Sequence, residues 1–305
     1  MRELEARELA SDELDLVGIS YLDDDHTKAV TGIEFIGDWE NVDGDLPLLQ
    51  CFPYLHSLNV GATGLMDVGL QVLDTLKHLE QLIIGGTEVT DCGFAIVAKL
   101  TSLKWLDIGA CPGITSKGVN LLSGLRKLET LNLELLNVGD EAMSVVSGFR
   151  NLVHLEMGST KVTDQGVQQL GSLTDLKSLY LHSTAIGDTG LMHLDHLMQL
   201  ERLTLNNSTV TDNGLRSLRD MSRLNWLSLG DTRVSDLGMP HLSHLRELAW
   251  LDLNGTTVSD VGLKQLQGLV NLKTLCLRMT NVTPQGIRAI KRKIKGLSVV
   301  PSSSC

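Results

Sequence analysis

The sequence predicts an α/β fold of one kind: a right-handed solenoid bent as a horseshoe, with a parallel sheet on its concave side and helices on its convex side. Three observations predict it. A leucine phrase, L-x-x-L-x-L, returns eleven times at intervals of 24 or 25 residues, starting at Val30, Leu55, Leu79, Leu103, Leu128, Leu152, Leu176, Leu200, Leu224, Leu248 and Leu272, with a shortened echo at Leu297. A fixed period of this length means units that stack on their neighbours, not a globule around one centre. Within the phrase, Leu179 and Leu181 alternate with Tyr180 and His182, the period of a short half-buried strand. After each phrase comes a version of T-x-V-T-D-x-G-L-x-x-L-x-x-L, in which a hydroxyl and an acid precede apolar residues three apart, as at Leu215, Leu218 and Met221. That is the start and core face of a helix.

The elements follow in order. Strands at successive units lie about 4.8 Å apart, so roughly eleven spacings give an inner arc on the order of 50 Å. Thr163, Thr211, Ser235 and Ser259 are helix N-caps, each followed by an acid suited to the first turn. Asp91, Asp140, Asp164, Asp188, Asp212, Asp236 and Asp260 recur at that place, which reads as framework and not as a metal or catalytic set. In the last unit Pro284 takes the Asp position after Thr283, and proline is tolerated at the first helical residue. Gly190, Gly214, Gly238 and Gly262 hold one helical position, where the neighbouring coil is expected to pack too close for a side chain. Helices are bulkier than strands, which puts them on the convex side.

The ends depart from the middle. Residues 1–29 form an acidic N-terminal segment or cap, with Leu14, Val17 and Ile19 as a degenerate first strand. Residues 30–296 form the solenoid of about eleven repeats, and 297–305 a closing strand and tail. Residues 37–54, with Trp39 and Pro47, read as irregular. Ile287, Ile290 and Ile294 mark the last helix, whose wet face carries Lys291, Arg292, Lys293 and Lys295.

Charge is uneven. Residues 1–50 hold fourteen acids and three bases, and the remainder is balanced at 23 of each. Nucleic-acid binding has no electrostatic support from that balance. The five cysteines, Cys51, Cys92, Cys111, Cys276 and Cys305, form no CxxC pair. The start, Met-Arg-Glu-Leu-Glu-Ala-Arg, has no apolar core of a secretory signal, and no stretch is long enough to cross a membrane. These features point to a cytoplasmic, monomeric protein with no membrane partner and no cofactor. A secreted setting is the alternative if a leader has been removed; four N-x-S/T sequons, at Asn206, Asn207, Asn254 and Asn281, are its mark.

The leucine phrase and the V-T-D-x-G-L segment resemble leucine-rich repeat proteins over about 270 residues, and within them the cysteine-containing subclass. Threonine stands in most units where that subclass has cysteine, and Cys111, in Ile108-Gly109-Ala110-Cys111-Pro112-Gly113-Ile114-Thr115, keeps it. The resemblance implies binding of other proteins along the concave face, as in F-box substrate receptors and bacterial effectors. It does not carry ligase-adaptor function, because residues 1–29 are too few and too acidic for an F-box.

If the repeating residues hold the coil, function sits where the repeats disagree. The third, fifth, seventh and eighth positions of each unit face the concavity. Trp105, Trp226 and Trp250, three of the four tryptophans, share the third-position column with His154 and Arg202. The fifth column holds Asp107, Glu156 and Tyr180; the seventh holds Glu134, His182 and Asn206. Exposed Trp, Tyr and Arg are the residue types that anchor protein interfaces. Trp105, Tyr180, Trp226 and Trp250 are the candidate anchors. His154, Glu156, His182, Arg202 and Asn206 supply polar specificity, and Asp107, Glu134 and Glu156 make the earlier part acidic. Gly61-Ala62 and Gly85-Gly86 read as a flat stretch with little to offer a ligand. No nucleophile and no deep pocket accompany the His154–Glu156 and Tyr180–His182 pairs, so the sequence reads as a binding module and not an enzyme. The alternative is a secreted or surface receptor-like or effector protein of a microbe or parasite.

Overall fold

The computed structural model describes residues 19–23, 30–35 and 42–300. The predicted acidic cap falls outside these residues except for 19–23, and so do Trp39 and the tail from 301. The chain divides into two compact units, residues 1–138 with 148–152, and residues 139–147 with 153–305.

In the first unit, β2 (Val30–Phe35), β3 (Ser57–Asn59), β4 (Gln81–Ile83), β5 (Trp105–Asp107) and β6 (Thr130–Asn132) pair in parallel, each with the strand of the next repeat. β1 (Ile19–Asp23) lies antiparallel on β2, with Ile19 opposite Phe35. Of the predicted degenerate strand, Ile19 opens β1, whereas Leu14 and Val17 lie outside the described residues. In the second unit, β7 (His154–Glu156), β8 (Ser178–Tyr180), β9 (Arg202–Thr204), β10 (Trp226–Ser228), β11 (Trp250–Asp252), β12 (Thr274–Cys276) and β13 (Ser298–Val300) form another parallel run. Each strand is three residues long from β3 onward; the middle leucine of β3 to β12 is buried in the core and Val299 of β13 is half-buried. Leu176, Leu179 and Leu181 are fully buried, as the period-two reading requires.

A threonine nine residues into the unit explains one repeated letter. Thr63, Thr87, Thr160, Thr184, Thr232 and Thr256 are buried, and each hydroxyl donates to the carbonyl three residues back, at 2.6–2.7 Å. Cys111 takes the same place and donates its Sγ–H to Ile84 O at 3.2 Å. A small side chain with one weak or strong donor is what this buried site needs.

The helical half is shorter than the sequence predicts. Segments of three to seven residues alternate between α and 3₁₀ geometry, and the C-terminal helix, Pro284–Lys293, reaches ten. Residues 46–51, expected to be irregular around Pro47, form a 3₁₀ turn. Runs this short do not pay their nucleation cost in isolation, so packing between coils must hold them.

That packing gives the recurrent aspartate a second role. Thr115, Thr163, Ser259 and Thr283 are N-caps whose hydroxyls accept from a backbone N–H two residues on. Thr211 and Ser235 make the same bond ahead of turns. Each aspartate reaches forward to the next coil's cap. Asp188 accepts Thr211 N at 2.8 Å and Thr211 Oγ1 at 2.6 Å, and Asp67, Asp91, Asp140, Asp212, Asp236 and Asp260 repeat the pair. The helical glycines make room for it: a Cβ on Gly190 would sit 2.5 Å from Asp164 Oδ1, and one on Gly93 2.6 Å from Asp67 Oδ1. The aspartates are therefore framework, but as ties between coils and not only as first-turn charges.

Candidate functional site

The variable residues stand on the strand faces opposite the leucines. In the first unit Trp105 and Asp107, two apart on β5, share a face; Trp105 is 44% exposed and Asp107 half-buried. Asp107 Oδ1 accepts the Gly109 N–H at 3.0 Å, and Asn132 Oδ1 accepts that of Glu134 at 2.8 Å. The stretch expected to be flat is a shallow, open surface. A shallow depression of about 420 Å³ runs over Gly61, Gly85 and Gly109, bounded by Ile83, Asp107 and Glu134. A second, of about 290 Å³, shares Asn59 and Ile83 with it and continues to Glu34. Glycine here leaves room for side chains of the next strand, Asp107 beside Gly85 and Asn132 beside Gly109. A Cβ on Gly85 would sit 2.9 Å from Asp107 Oδ1 and 3.0 Å from Gly109 O.

The second unit carries His154, Glu156, Tyr180, His182, Arg202, Asn206, Trp226 and Trp250. Strand register sets Arg202 beside Trp226, and Trp226 beside Trp250. The two indoles stack with centroids 3.9 Å apart and planes 9° from parallel. The Arg202 guanidinium lies 5.9 Å from the Trp226 centroid, a cation–π contact on the far side of the pair in the strand order. His154 is exposed beside Ser178, and Tyr180 lies between Glu156 and Thr204. Although its side chain is exposed, partial desolvation of the ring, with the cations Arg202 and Lys177, holds His154 below the ordinary histidine value. The His182 ring occupies the space over Gly158, where a Cβ would overlap it. Asn206 is half-buried and its carbonyl accepts from Ser183 N at 2.9 Å.

One column departs from the expectation that fifth positions face solvent. In the second unit Thr204, Ser228, Asp252 and Cys276 are all buried. Asp252 accepts from Asn254 N at 2.9 Å and from Ser228 Oγ at 3.2 Å. Burial pushes its carboxyl up, and those two bonds offset part of the rise. Thr204 Oγ1 is buried without a hydrogen-bond partner. The sequence signal for this strip was its small polar residues next to the bulky third-position column. Among the described residues no group of three or more His, Cys, Asp or Glu is placed to hold a metal ion.

The comparisons with known proteins agree with this architecture. No family model matches the sequence, and no curated protein does. Solved structures do. An internalin of Listeria monocytogenes is 22% identical, with a TM-score of 0.65 over 98% of this chain and 95% of that one. A Leptospira interrogans LRR protein is 19% identical, with a TM-score of 0.53 over 83% of this chain and 74% of that one. The fold is a leucine-rich repeat solenoid. The Arabidopsis receptor kinase HAESA, solved with the peptide hormone IDA and the co-receptor SERK1, has a TM-score of 0.67 at 18% identity, over 97% of this chain and 53% of that one. At these identities the likeness shows the leucine-rich repeat fold alone. No helix among the described residues is long and apolar enough to cross a membrane.

Proposed function

We propose that this leucine-rich repeat chain is a protein-interaction module that binds a protein or peptide on its open sheet face, the face the sequence reads as concave. The observation that carries this reading is the recurrence of Trp105, Trp226 and Trp250 at one repeat position, with Arg202 over Trp226 and the Trp226 and Trp250 indoles stacked in register within the second unit. Trp, Tyr and Arg concentrated on a surface are the usual anchors of an interface. Stacking pre-orders Trp226 and Trp250, so less side-chain entropy is lost when a partner covers them. Tyr180 is the fourth anchor, and His154, Glu156, His182 and Asn206 give polar selection around it. HAESA, similar to this chain in fold, was solved in complex with a peptide hormone, which supports the reading. The reading includes no catalysis and no cofactor; the role is that of a scaffold, adaptor or substrate-recognition subunit.

A second setting has its own observation. Cys276 is buried and disulfide-bonded, and disulfides persist in oxidising compartments. Cys51, Cys92 and Cys111 stand outside any disulfide, which suits the cytoplasm. Thiol titration of protein purified without reductant separates the two: a bonded Cys276 in native material supports the secreted reading, and a free one the cytoplasmic reading.

The function is tested by affinity capture with quantitative mass spectrometry, comparing wild type with Trp105→Ala/Trp226→Ala/Trp250→Ala, both checked for folding by circular dichroism. A partner enriched by wild type and lost by the variant is expected. Equal capture by both proteins would move the site off this face.

A further inference from the structure

We infer that the far end of the second unit is a further interaction surface, where an extended acidic segment of a partner adds as a strand to the edge of β13, beside the basic C-terminal helix. This surface is distinct from the indole face, and neither reading depends on the other.

The end of the stack is open. Val282, Ile287 and Val299 are half-buried, whereas Val258, Leu263 and Leu275, at the same places one coil earlier, are 0–2% exposed. The next coil covers those earlier positions; among the described residues no further coil covers the last three. β13 is likewise the last strand of its run, and among the described residues it pairs with β12 alone. Ser298 donates its N–H back to Lys273 O at 2.8 Å. Backbone groups alternate in direction along a strand, so Val299 turns its N–H and carbonyl away from β12, toward the open side. Such an edge is a template for another chain. Proteins commonly blunt an edge with charge inside the strand, and Ser298, Val299 and Val300 carry none.

Charge selects the occupant. Residues 261–305 hold eight bases and no acid, in a chain whose net charge is −11. Arg288, Lys291, Arg292, Lys293 and Lys295 are exposed, and none of them forms an ion pair among the described residues. Gln285, Gly286, Ala289 and Ile290 turn toward the preceding coil, where they line a groove with Leu263 and Lys264. Helical spacing then sets Arg288 and Lys291 with Ile287 on the outer, uncovered side. Cations without a counter-charge draw an acidic segment and fix its register.

The same surface disfavours other polyanions. Residues 251–305 contain no Phe, Trp, Tyr or His, so nucleic-acid bases find no stacking platform. Ile290 and Ile294 are each 1% exposed, so the helix has spent its apolar face on the core and has little to insert into a lipid surface. What remains is a backbone edge flanked by aliphatic side chains and cations. It fits an extended peptide that alternates acidic and aliphatic residues.

The test is a fluorescence-anisotropy titration of the full chain with a labelled nonapeptide of alternating glutamate and valine. Saturable binding is expected. A glutamate–serine peptide keeps the charge, loses the aliphatic contacts, and should bind about tenfold more weakly or worse. Two further analogues carry N-methyl groups on the glutamates or on the valines. In an extended strand these two sets of amides face opposite ways, so one analogue should lose about tenfold and the other stay within about twofold. Arg288→Gln/Lys291→Gln should lose about tenfold, while Lys161→Gln/Arg233→Gln, which removes two exposed bases elsewhere in the second unit, should stay within about twofold. Val299→Pro removes the outward N–H and no bond to β12, and should melt as wild type and lose the peptide; if it melts early, the N-methyl pair decides. Equal affinity for the glutamate–serine peptide, equal behaviour of the two N-methyl analogues, or an equal loss in the Lys161/Arg233 variant would overturn the inference. Trp226→Ala/Trp250→Ala should bind the peptide as wild type does, and its loss there would move the peptide to the sheet face. Displacement by single-stranded DNA or by phosphatidylserine vesicles as readily as by unlabelled peptide would reduce the surface to a plain charge patch and overturn the inference as well.

Discussion

The open face of the first unit and that of the second are built on the same backbone and offer a ligand opposite things. The first presents a shallow glycine stretch beside Asp107 and Glu134, with an exposed indole, Trp105, on the strand of Asp107. The second presents a raised ladder, Arg202 on Trp226 on Trp250, beside a strip of buried polar residues. The strands, buried leucines and forward-reaching aspartates are common to both. The difference comes from positions that the repeat leaves unconstrained, and it teaches that framework and face can be altered separately.

The strongest way to break that separation is to cut the framework in each unit. Asp188→Ala in the second unit and Asp91→Ala in the first each remove bonds to the cap residue of the next coil, at 2.8 and 2.6 Å. Hydrogen bonds to a charged group contribute about 1.5–3 kcal/mol each, so urea unfolding should show a loss of about 3 kcal/mol for both variants. A large loss in one unit and none in the other would mean that the ladder is not a shared device.

A face substitution should act the other way. Trp250→Ala is expected to weaken a captured partner by about 2–4 kcal/mol in a binding titration, and to cost about 1–2 kcal/mol in unfolding as the stack on Trp226 is lost. If Trp250→Ala costs as much stability as Asp188→Ala, the indoles belong to the framework.

The ladder has an unfinished rung that sharpens the point. Asp43 Oδ1 accepts Met66 N at 3.1 Å, but Asp43 Oδ2 is buried without a partner, because a methionine stands where other coils have threonine or serine. Met66→Thr is expected to supply the missing hydroxyl and raise stability by about 1 kcal/mol, read as a higher urea midpoint with an unchanged slope.

The smallest effect concerns pH. The hydroxyl and N–H of Thr283 hold the Asp260 carboxyl below its ordinary value of 3.8. A depressed carboxylate contributes stability that is present above that value and is lost as pH falls below it, through the folded-state value. Amide exchange at Thr283 should therefore rise below about pH 4, and Asp260→Asn should remove this response. The same response in the Asn variant would contradict the assignment.

Much of this was legible in the sequence, for reasons that can be located. Leu179 and Leu181 against Tyr180 and His182 give the strand and its face outright, because a period of two has one structural meaning. Thr163 and Ser259 read as caps because their role is local, within two residues. The forward reach of Asp188 was not legible, since its partner Thr211 lies 23 residues away and only the stacked coil brings them together. The close fit at Gly85 was not legible for the same reason: Asp107 Oδ1 of the next coil lies 2.9 Å from where a Cβ would stand. The burial of Asp252 was not legible either, since neighbouring coils bring it about.

The central claim is that partners are held by the open sheet face, and covalent footprinting tests it most directly. Hydroxyl-radical oxidation of Trp105, Trp226 and Trp250 would be compared, with and without a captured partner, against Met192 and Met198, which are 61% and 43% exposed on the helical half of the second unit. Protection of the indoles with both methionines unchanged is the expected result. Protection of the methionines with the indoles still oxidised would place the partner on the helices and contradict the account.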